Sequence, residues 1–218
     1  MDMPLPTPYN EVIFISGIGT DVGKTLVAAI FCEALQAYYW KPVQSGSLDY
    51  SDTQQVAERI TQGTAACLPE AYRLRLPASP HAAAAAENRT IQLEELRPPA
   101  PRPLVVEGSG GILVPLNNTH TYGDWLAAMR FPTVLVSRNY LGSINHTLLS
   151  IEALRQRDIP LLGIVFNGET YPAGENFILQ HSQLPCLLRI PDMPHITPQH
   201  IQSLAQQLRK QLMLLAAG

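Results

Sequence analysis

The segment from residue 11 to residue 35 restricts the fold more than any other part of the chain. Residues 11–16, EVIFIS, have the β-branched and aromatic composition of a buried strand, and Gly17 ends this run. Residues 25–35 are apolar, almost uncharged and typical of a helix. The turn between the two carries the letters GKT. Such a turn predicts a phosphate site, because its backbone N–H groups and the helix dipole both attract anions.

The side chains of this turn match the chemistry of a nucleotide site. Lys24 is expected to reach the β and γ phosphates, and the Thr25 hydroxyl is expected to bind Mg²⁺. The spacing departs from the usual pattern G-x-x-x-x-G-K-[ST], because Ile18 stands at the first glycine and Gly17 lies one residue earlier. A chance Gly-Lys-Thr is the alternative interpretation. The order of strand, turn, Lys-Thr and helix favours the phosphate site.

Three more short apolar runs predict buried strands, and the segments around them predict helices. The strands are 104–107, 133–137 and 161–166, and the helices are 124–129, 146–157 and 197–215. In the last helix, apolar residues recur at helical spacing at 201, 204, 205, 208, 212 and 215. Short apolar strands that alternate with helices predict an α/β fold, with a mostly parallel sheet and helices on both faces. Ligands of such sheets bind at the carboxyl ends of the strands.

Length and composition favour a single domain over residues 1–218, with residues 1–10 as a loose arm that contains three prolines. Hydrophobic residues make up 46% of the chain, too many for a disordered protein. The net charge of −3 argues against nucleic-acid binding, and no apolar run is long enough to span a membrane. Three cysteines without C-x-x-C spacing, and a start unlike a signal peptide, predict a protein of the reducing cytoplasm.

Two acidic residues are candidate ligands for the Mg²⁺ that a nucleotide site needs. Glu107 is expected at the end of a buried strand, where a carboxylate is costly unless it meets a cation. A helix cap or an ordinary salt bridge is the alternative for Glu107. Asp52 is the weaker candidate, because either Ser51 or Asp52 can be the N-cap of the helix that follows.

Further motifs resemble those of the dethiobiotin synthetases. The segments that carry the resemblance are 20–25 (TDVGKT), 41–47 (KPVQSGS), 51–52 (SD), 79–81 (SPH), 106–111 (VEGSGG), 141–146 (LGSINH) and Asn167. The phosphate loop alone fits many ATPases. The patterns KPVxSGS, VEGxGG and LGxINH together are specific, and they occur in the family's order along most of the chain.

The resemblance implies a P-loop NTPase-like domain that makes dethiobiotin, in biotin biosynthesis, with ATP as co-substrate and Mg²⁺ as cofactor. The substrate of the family, 7,8-diaminononanoate, has two neighbouring amines and a distant carboxylate. One amine takes up CO₂ to form a carbamate, ATP phosphorylates the carbamate, and the second amine closes the ring with release of phosphate. A homodimer with the substrate site near the subunit interface is also implied.

The resemblance assigns roles to individual residues. Lys41 and Ser45 are implied to lie beside the reacting amines, where the Lys41 charge stabilises the carbamate. Lys24 and Thr20 are implied to hold the transferred phosphate, so that Lys41, Lys24 and Thr20 form the catalytic set. The implied Mg²⁺ ligands are Thr25, Asp52 and Glu107. The implied ATP site comprises Asp21, Val22, Gly23, Lys24, Thr25, Leu26, Asp52, Glu107, Gly108, Ser109, Gly110, Asn167, Gly168, Pro191 and Asp192.

The resemblance also implies that Gly142, Ser143 and Asn145 bind the tail carboxylate of the substrate, because they open a helix after a strand. A plain N-cap is the alternative interpretation of Asn145. Asn167 is implied to read the purine edge, since an amide offers both the donor and the acceptor that adenine needs. His81, which precedes a run of five alanines, is interpreted as a structural residue in a tightly packed helix, and a substrate role is the alternative.

Two other kinds of P-loop protein share parts of this pattern. An amidotransferase-type synthetase needs a glutaminase portion with a nucleophilic cysteine, and this chain is too short for one. A ParA-like ATPase switch that binds a protein partner is the alternative function. Such proteins often carry a second lysine early in the loop, where this chain has Ile18, Gly19 and Thr20. The connection from the first helix to Lys41 is short for a dethiobiotin synthetase, so either the helix ends early or residues are absent.

Overall fold

The apolar runs of the sequence form the central strands of a seven-stranded sheet. The computed structural model describes residues 9–217, so most of the arm predicted for residues 1–10 lies outside the described residues. The strands are β1 (Val12–Gly17), β2 (Tyr38–Trp40), β3 (Val43–Ser45), β4 (Cys67–Leu68), β5 (Tyr72–Leu74), β6 (Leu104–Gly111), β7 (Thr133–Arg138), β8 (Leu161–Asn167) and β9 (Cys186–Ile190). The helices are α1 (Lys24–Leu35), α2 (Asp52–Arg59), α3 (Pro80–Ala86), α4 (Tyr122–Met129), α5 (Ser143–Arg155), α6 (Pro172–Ser182) and α7 (Pro198–Ala217).

The large sheet has the strand order β4-β2-β6-β1-β7-β8-β9, and its strand pairings are parallel. Strands β3 and β5 form a separate parallel pair. Neighbouring residues of the central strand β1 enter opposite cores. Ile13 and Ile15 pack with α1 and α7, whereas Phe14 packs against Tyr122 and Trp125 of α4. The predicted α/β fold, with a parallel sheet covered on both faces, is therefore confirmed.

Two element boundaries differ from the sequence-based expectation by three residues or more. Strand β6 continues four residues beyond its predicted end, because Gly17 of β1 pairs with Gly111 after a register shift. Glu107 therefore lies within the strand rather than at its end. Helix α5 begins at Ser143, three residues earlier than predicted. In α7 the predicted apolar positions are buried except Leu215, which is 37% exposed near the end of the helix. Among residues 9–217, no helix is long and apolar enough to cross a membrane.

The connection between α1 and Lys41 is short because the chain turns within two residues. Helix α1 continues to Leu35, so it does not end early, and β2 begins at Tyr38. Gln36 makes the turn in the left-handed region, with φ of 51°, and its backbone N–H donates to the Cys32 carbonyl. Strand β2 is three residues long. This tight turn fixes where β2 delivers Lys41 at the end of the sheet.

Two other helices also end at a non-glycine residue with positive φ. Arg130 closes α4 with φ of 53°, and Gln183 closes α6 with φ of 56°. The left-handed conformation costs an L-residue about 1–2 kcal/mol, whereas glycine adopts it freely. The packing of the helices therefore holds these turns in the left-handed conformation. Each turn contributes a small unfavourable free energy to the folded state.

We expect Arg130→Gly to stabilise the protein. Relief of the left-handed strain outweighs the greater chain entropy of glycine by about 0.5–1 kcal/mol, which raises the melting temperature by roughly 1–3 °C. Calorimetric or circular-dichroism melting measures the shift. Arg130→Ala is the matched control, because it removes the same exposed side chain and keeps the strain. Equal melting temperatures for the glycine and alanine variants would contradict the strain.

Candidate nucleotide and substrate site

A cavity of about 810 Å³ opens at the carboxyl ends of the sheet strands. The phosphate loop, the ends of β2, β6, β7 and β8, and the segment after β9 contribute to its wall. The predicted site residues that line it are Thr20, Asp21, Gly23, Lys24, Thr25, Leu26, Lys41, Ser45, Asp52, Glu107, Ser109, Gly110, Asn167, Pro191 and Asp192. The predicted residues that do not line it are Val22, Gly108, Gly168, Gly142, Ser143 and Asn145. The fold thus brings side chains from six separate segments to one cavity.

Three of the residues outside the lining support the cavity from behind. The Val22 carbonyl accepts a hydrogen bond of 2.9 Å from the Asn167 amide. A Cβ atom at Gly108 would lie 2.5 Å from the Phe14 ring, so this position packs against the core. A Cβ atom at Gly168 would lie 3.4 Å from Arg138 Cγ and 3.5 Å from Asp192 Oδ1. Their backbone groups are the only means by which these residues could contact a nucleotide directly.

The phosphate loop holds its lysine inside the protein. Lys24 is the first residue of α1, is buried, and donates through Nζ to the Gly19 carbonyl at 2.7 Å. Burial lowers the pKa of Lys24, and the nearby Glu107 carboxylate opposes that shift. A cation that is partly desolvated and points into the loop is suited to an anionic ligand, because the attraction is weakly screened there. This geometry supports a phosphate-binding role for Lys24.

Glu107 is the centre of a buried polar cluster. Its Oε1 accepts from Thr25 Oγ1 at 2.9 Å and from Lys41 Nζ at 3.1 Å, and its Oε2 accepts from Tyr39 OH at 2.7 Å. Lys41 Nζ also donates to Asp52 Oδ2. Burial lowers the pKa of Lys41, but the Glu107 and Asp52 carboxylates outweigh burial and hold this pKa above its usual range. Lys41 therefore stays charged at neutral pH.

The alternatives for the two carboxylates can now be separated. Ser51 caps α2 in a capping box with Gln54, so the interpretation of Asp52 as the N-cap is wrong. The Asp52 side chain is free of the capping role and reaches Lys41. Glu107 does form an ion pair, as its alternative predicted, but the pair faces the cavity. Both carboxylates are thus available to a ligand that enters the cavity.

The donor set fits a hard divalent cation. Thr25 Oγ1 and the Glu107 carboxylate are in direct contact, and Lys41 bridges Glu107 to Asp52. Within residues 9–217, no group of three or more His, Cys, Asp or Glu side chains is arranged to hold a metal alone. Mg²⁺ is usually bound by one or two carboxylates together with substrate phosphates and water. The cluster has the oxygen ligands that such a shared site needs.

The end of the cavity formed by β7, β8 and the segment after β9 contains a side-chain amide and an ion pair. Asn167 is buried and gives one N–H to Val22, which leaves its carbonyl oxygen and its second N–H for a ligand. Arg138 Nη2 and Asp192 Oδ1 form an ion pair of 3.1 Å at the same end. Sequence reasoning missed Arg138, although its position at the end of β7 could have identified it.

Two further residues of the site were missed. Tyr39 contacts Glu107 from within the core, and its position two residues before Lys41 was the available indication. Gln44 accepts weakly from the Asp52 backbone N–H at 3.4 Å and donates to the Gly46 carbonyl at 2.9 Å. The first of these bonds connects the KPVQSGS segment to the start of α2, and the second lies within the segment. Ser45 Oγ is buried without a hydrogen-bond partner in the described part of the chain.

The predicted tail-binding segment lies apart from the cavity of this chain. Gly142 is the N-cap of α5 with φ of 100°, so the interpretation of Asn145 as the N-cap is wrong. Asn145 is exposed in the first turn of the helix, and Ser143 Oγ is buried and has no partner among residues 9–217. The preceding residue, Leu141, is fully exposed. A role of this helix start in substrate binding stays a prediction.

The region around His81 agrees with its structural interpretation. His81 Nδ1 lies 3.0 Å from Ser79 Oγ at the start of α3, and Ala83 and Ala84 of the alanine run are buried in the core. Pro80 is the first residue of this helix, where its missing N–H costs nothing. Ser79 and Pro80 line the cavity, whereas His81 does not.

Comparisons with known proteins show the family to which this chain belongs. The family model described as AAA domain matches residues 11–200. An ATP-dependent dethiobiotin synthetase BioD from Agrobacterium fabrum is 47% identical over 194 residues, which cover 88% of this chain and 92% of the relative. A protein of the same name from Rhodopseudomonas palustris is 49% identical over 189 residues, which cover 86% and 89%.

Among solved structures, a plasmid partition protein from Borrelia burgdorferi bound to AMPPNP has a similar fold. Its TM-score is 0.58 at 8% identity, with 94% of this chain and 98% of that chain covered. Identity this low shows a shared fold and nothing more. The two synthetases are far more similar in sequence, and almost their whole length is matched. The chain therefore belongs to the family of ATP-dependent dethiobiotin synthetases.

Proposed function

We propose that this protein catalyses the ATP- and Mg²⁺-dependent carboxylation and ring closure of 7,8-diaminononanoate, with dethiobiotin, ADP and phosphate as products. The observation that carries the proposal is the pair of buried lysines. The sequence has three lysines, and two of them, Lys24 and Lys41, line one cavity together with Asp52 and Glu107. Family membership supports the same reaction.

The two lysines suit the two anions of this reaction. Lys24, at the start of α1, is proposed to neutralise the phosphate that is transferred, with the Thr20 hydroxyl on the same loop. Lys41 is proposed to stabilise the carbamate, because it stays protonated between two carboxylates and faces the cavity beside Ser45. Thr25, Asp52 and Glu107 would hold Mg²⁺, which supplies charge neutralisation to the phosphoryl oxygens.

The adenine base is proposed to lie at the far end of the cavity. Asn167 retains one donor and one acceptor there, which matches the edge of adenine. Pro191 and Asp192 line the same end, with Met193 and Ile196 as apolar surface. The backbone of Gly168, beside Asn167, has φ of 99° and carries no side chain that would obstruct the base. Asn167 therefore contributes to nucleotide recognition in this proposal.

The decisive experiment measures phosphate release. With ATP and Mg²⁺ alone, phosphate should not be released above background, and addition of both diamine and bicarbonate should start turnover. Lys24→Ala should lower that turnover by about 10²–10³-fold, because it removes charge stabilisation of the transferred phosphoryl group. Lys210→Ala, at an exposed lysine of α7, is the matched control. Slow ATP hydrolysis whose rate does not depend on diamine or bicarbonate would instead indicate a ParA-like switch.

Lys41→Gln should leave the affinity for ATP nearly intact and lower kcat by about 10²-fold or more, since an interaction made along the reaction path affects the chemical step. Single-turnover kinetics with saturating diamine measure the step, and calorimetry measures ATP binding. The melting temperature of the variant verifies that it is folded. Loss of ATP binding with normal kcat would reverse the assignment.

We also propose that the protein is a homodimer in which a second copy completes the substrate site. The helix start at Gly142 to Asn145 is separate from the cavity within one chain. Large apolar side chains beside it are exposed, namely Leu141 at 102%, Leu149 at 54%, and Tyr171 and Phe177 of the neighbouring segment and helix. Leu149 lies one turn after Asn145 on the same stripe of α5. An apolar surface that continues into a predicted binding segment favours a second copy of this chain as its occupant.

Leu149→Asp should dissociate the dimer and raise KM for the diamine, while ATP binding in the absence of diamine stays unchanged. The charge would be buried at an apolar interface, which is costly without a partner. Sedimentation velocity and steady-state kinetics measure the two effects. Leu214→Asp is the control, because Leu214 is 62% exposed on α7, which packs on the opposite face of the sheet. A wild-type protein that is monomeric and fully active would contradict the proposal.

We expect the reaction to take place in the cytoplasm, where ATP is supplied. The thiols Cys32, Cys67 and Cys186 are unpaired, and burial raises the pKa of each of them. They are therefore neutral near pH 7 and are poor nucleophiles.

A further inference from the structure

We infer that Tyr39 is a positioning residue for Glu107: its hydroxyl fixes one carboxylate oxygen and thereby turns the other oxygen toward Thr25 and Lys41. The inference rests on the proposed role of Glu107 as a Mg²⁺ ligand. Tyr39 does not line the cavity, so it acts on the reaction only through Glu107. None of the sequence motifs of the family included this residue.

The geometry of β2 explains why Tyr39 reaches Glu107. Strand β2 pairs in parallel with β6, with Tyr39 opposite Val105 and Trp40 opposite Val106. Side chains alternate along a strand, so Tyr39 and Lys41 point to the same face of the sheet as Glu107. Trp40 points to the other face, where it packs edge-on against Trp125. The spacing Tyr-x-Lys, from β2 to the residue that follows it, therefore places two donors beside one carboxylate.

The two oxygens of Glu107 have different surroundings. Oε2 accepts from the Tyr39 hydroxyl alone within residues 9–217, whereas Oε1 is shared by the Thr25 hydroxyl and the Lys41 ammonium. Tyr39 is 0% and Glu107 is 1% exposed, so water does not compete for the bond. A single donor in the core thus decides which carboxylate oxygen is available at the cavity.

The hydroxyl of Tyr39 is placed as a donor by the geometry of the core. It lies 2.7 Å from Glu107 Oε2, and a phenol O–H donates to a carboxylate. Partners of this kind orient metal-binding side chains, and their loss commonly weakens metal binding by about 10–100-fold.

Tyr39→Phe tests the inference because it retains the ring in the core and removes only the donor. The measurement is ATP binding by calorimetry over a series of Mg²⁺ concentrations, without diamine, and again in EDTA. The Mg²⁺ midpoint is the Mg²⁺ concentration that gives half of the maximal increase in ATP affinity. We expect Tyr39→Phe to raise this midpoint about tenfold and to leave ATP affinity in EDTA unchanged. A variant that only loosened the core would instead weaken ATP binding under both conditions.

The adjacent tyrosine provides a matched control. Tyr38 is half-buried, and its hydroxyl makes no hydrogen bond in the part of the chain that the structure describes, so Tyr38→Phe should leave the Mg²⁺ midpoint unchanged. The inference is overturned if Tyr39→Phe has the same Mg²⁺ midpoint as Tyr38→Phe. The inference is supported if Tyr39→Phe shifts the Mg²⁺ midpoint and Tyr38→Phe does not.

Glu107→Gln separates this inference from the proposal on which it rests. If Glu107→Gln leaves the Mg²⁺ midpoint unchanged, Glu107 is not a ligand and both ideas fail. If Glu107→Gln shifts the midpoint and Tyr39→Phe does not, only the inference about Tyr39 fails. Should Tyr39→Phe not fold, the double variant with Glu107→Gln removes the buried charge as well. Its Mg²⁺ midpoint should equal that of Glu107→Gln alone, and a further shift would show that Tyr39 acts by another route.

Discussion

The carboxylate of Glu107 is a buried negative charge, and the elements around the site are arranged to compensate for it. A charge in the core costs several kcal/mol unless it is paired and hydrogen-bonded. Helix α1 contributes Thr25, strand β2 contributes Tyr39, and Lys41 directly follows β2. Lys41 then reaches Asp52 at the start of α2. One interaction thus connects β6, β2, α1 and α2, and the geometry of the proposed metal site follows from how these four elements meet.

Much of the fold and half of the site could be predicted because their determinants are local. A strand, a turn with Gly-Lys-Thr and a helix are contiguous in the sequence, so periodicity and composition identify them. The role of Asp52 could not be decided from pattern, because Ser51 and Asp52 are neighbours with equal capping propensity. Only the pairing of β2 with β6, two segments far apart in sequence, shows that Tyr39 and Glu107 meet. The length of β6 depended in the same way on its pairing with β1.

The helix start at Gly142 illustrates a second limit of prediction from sequence. Its motif identified a strand followed by a helix correctly, and α5 begins there. Its relation to the cavity depends on the proposed second copy of the chain, which no pattern within one chain specifies. The exposed Leu141 and Leu149 support that proposal, because contiguous apolar patches at a protein surface often mark interaction sites.

The contact between Asn167 and the phosphate loop couples the two ends of the nucleotide cavity. A Cβ atom at residue 23 would lie only 2.2 Å from the Asn167 amide nitrogen, so the amide occupies the space that a glycine leaves. Its hydrogen bond to Val22 ties the end of β8 to the loop that precedes α1. Motion of the loop therefore displaces the group proposed to meet the base, and a base that immobilises Asn167 also restrains the loop. If the nucleotide binds as proposed, the base and the phosphates order the same loop, and the entropy of that ordering is lost only once. A whole nucleotide would then bind more tightly than the separate affinities of base and phosphates suggest.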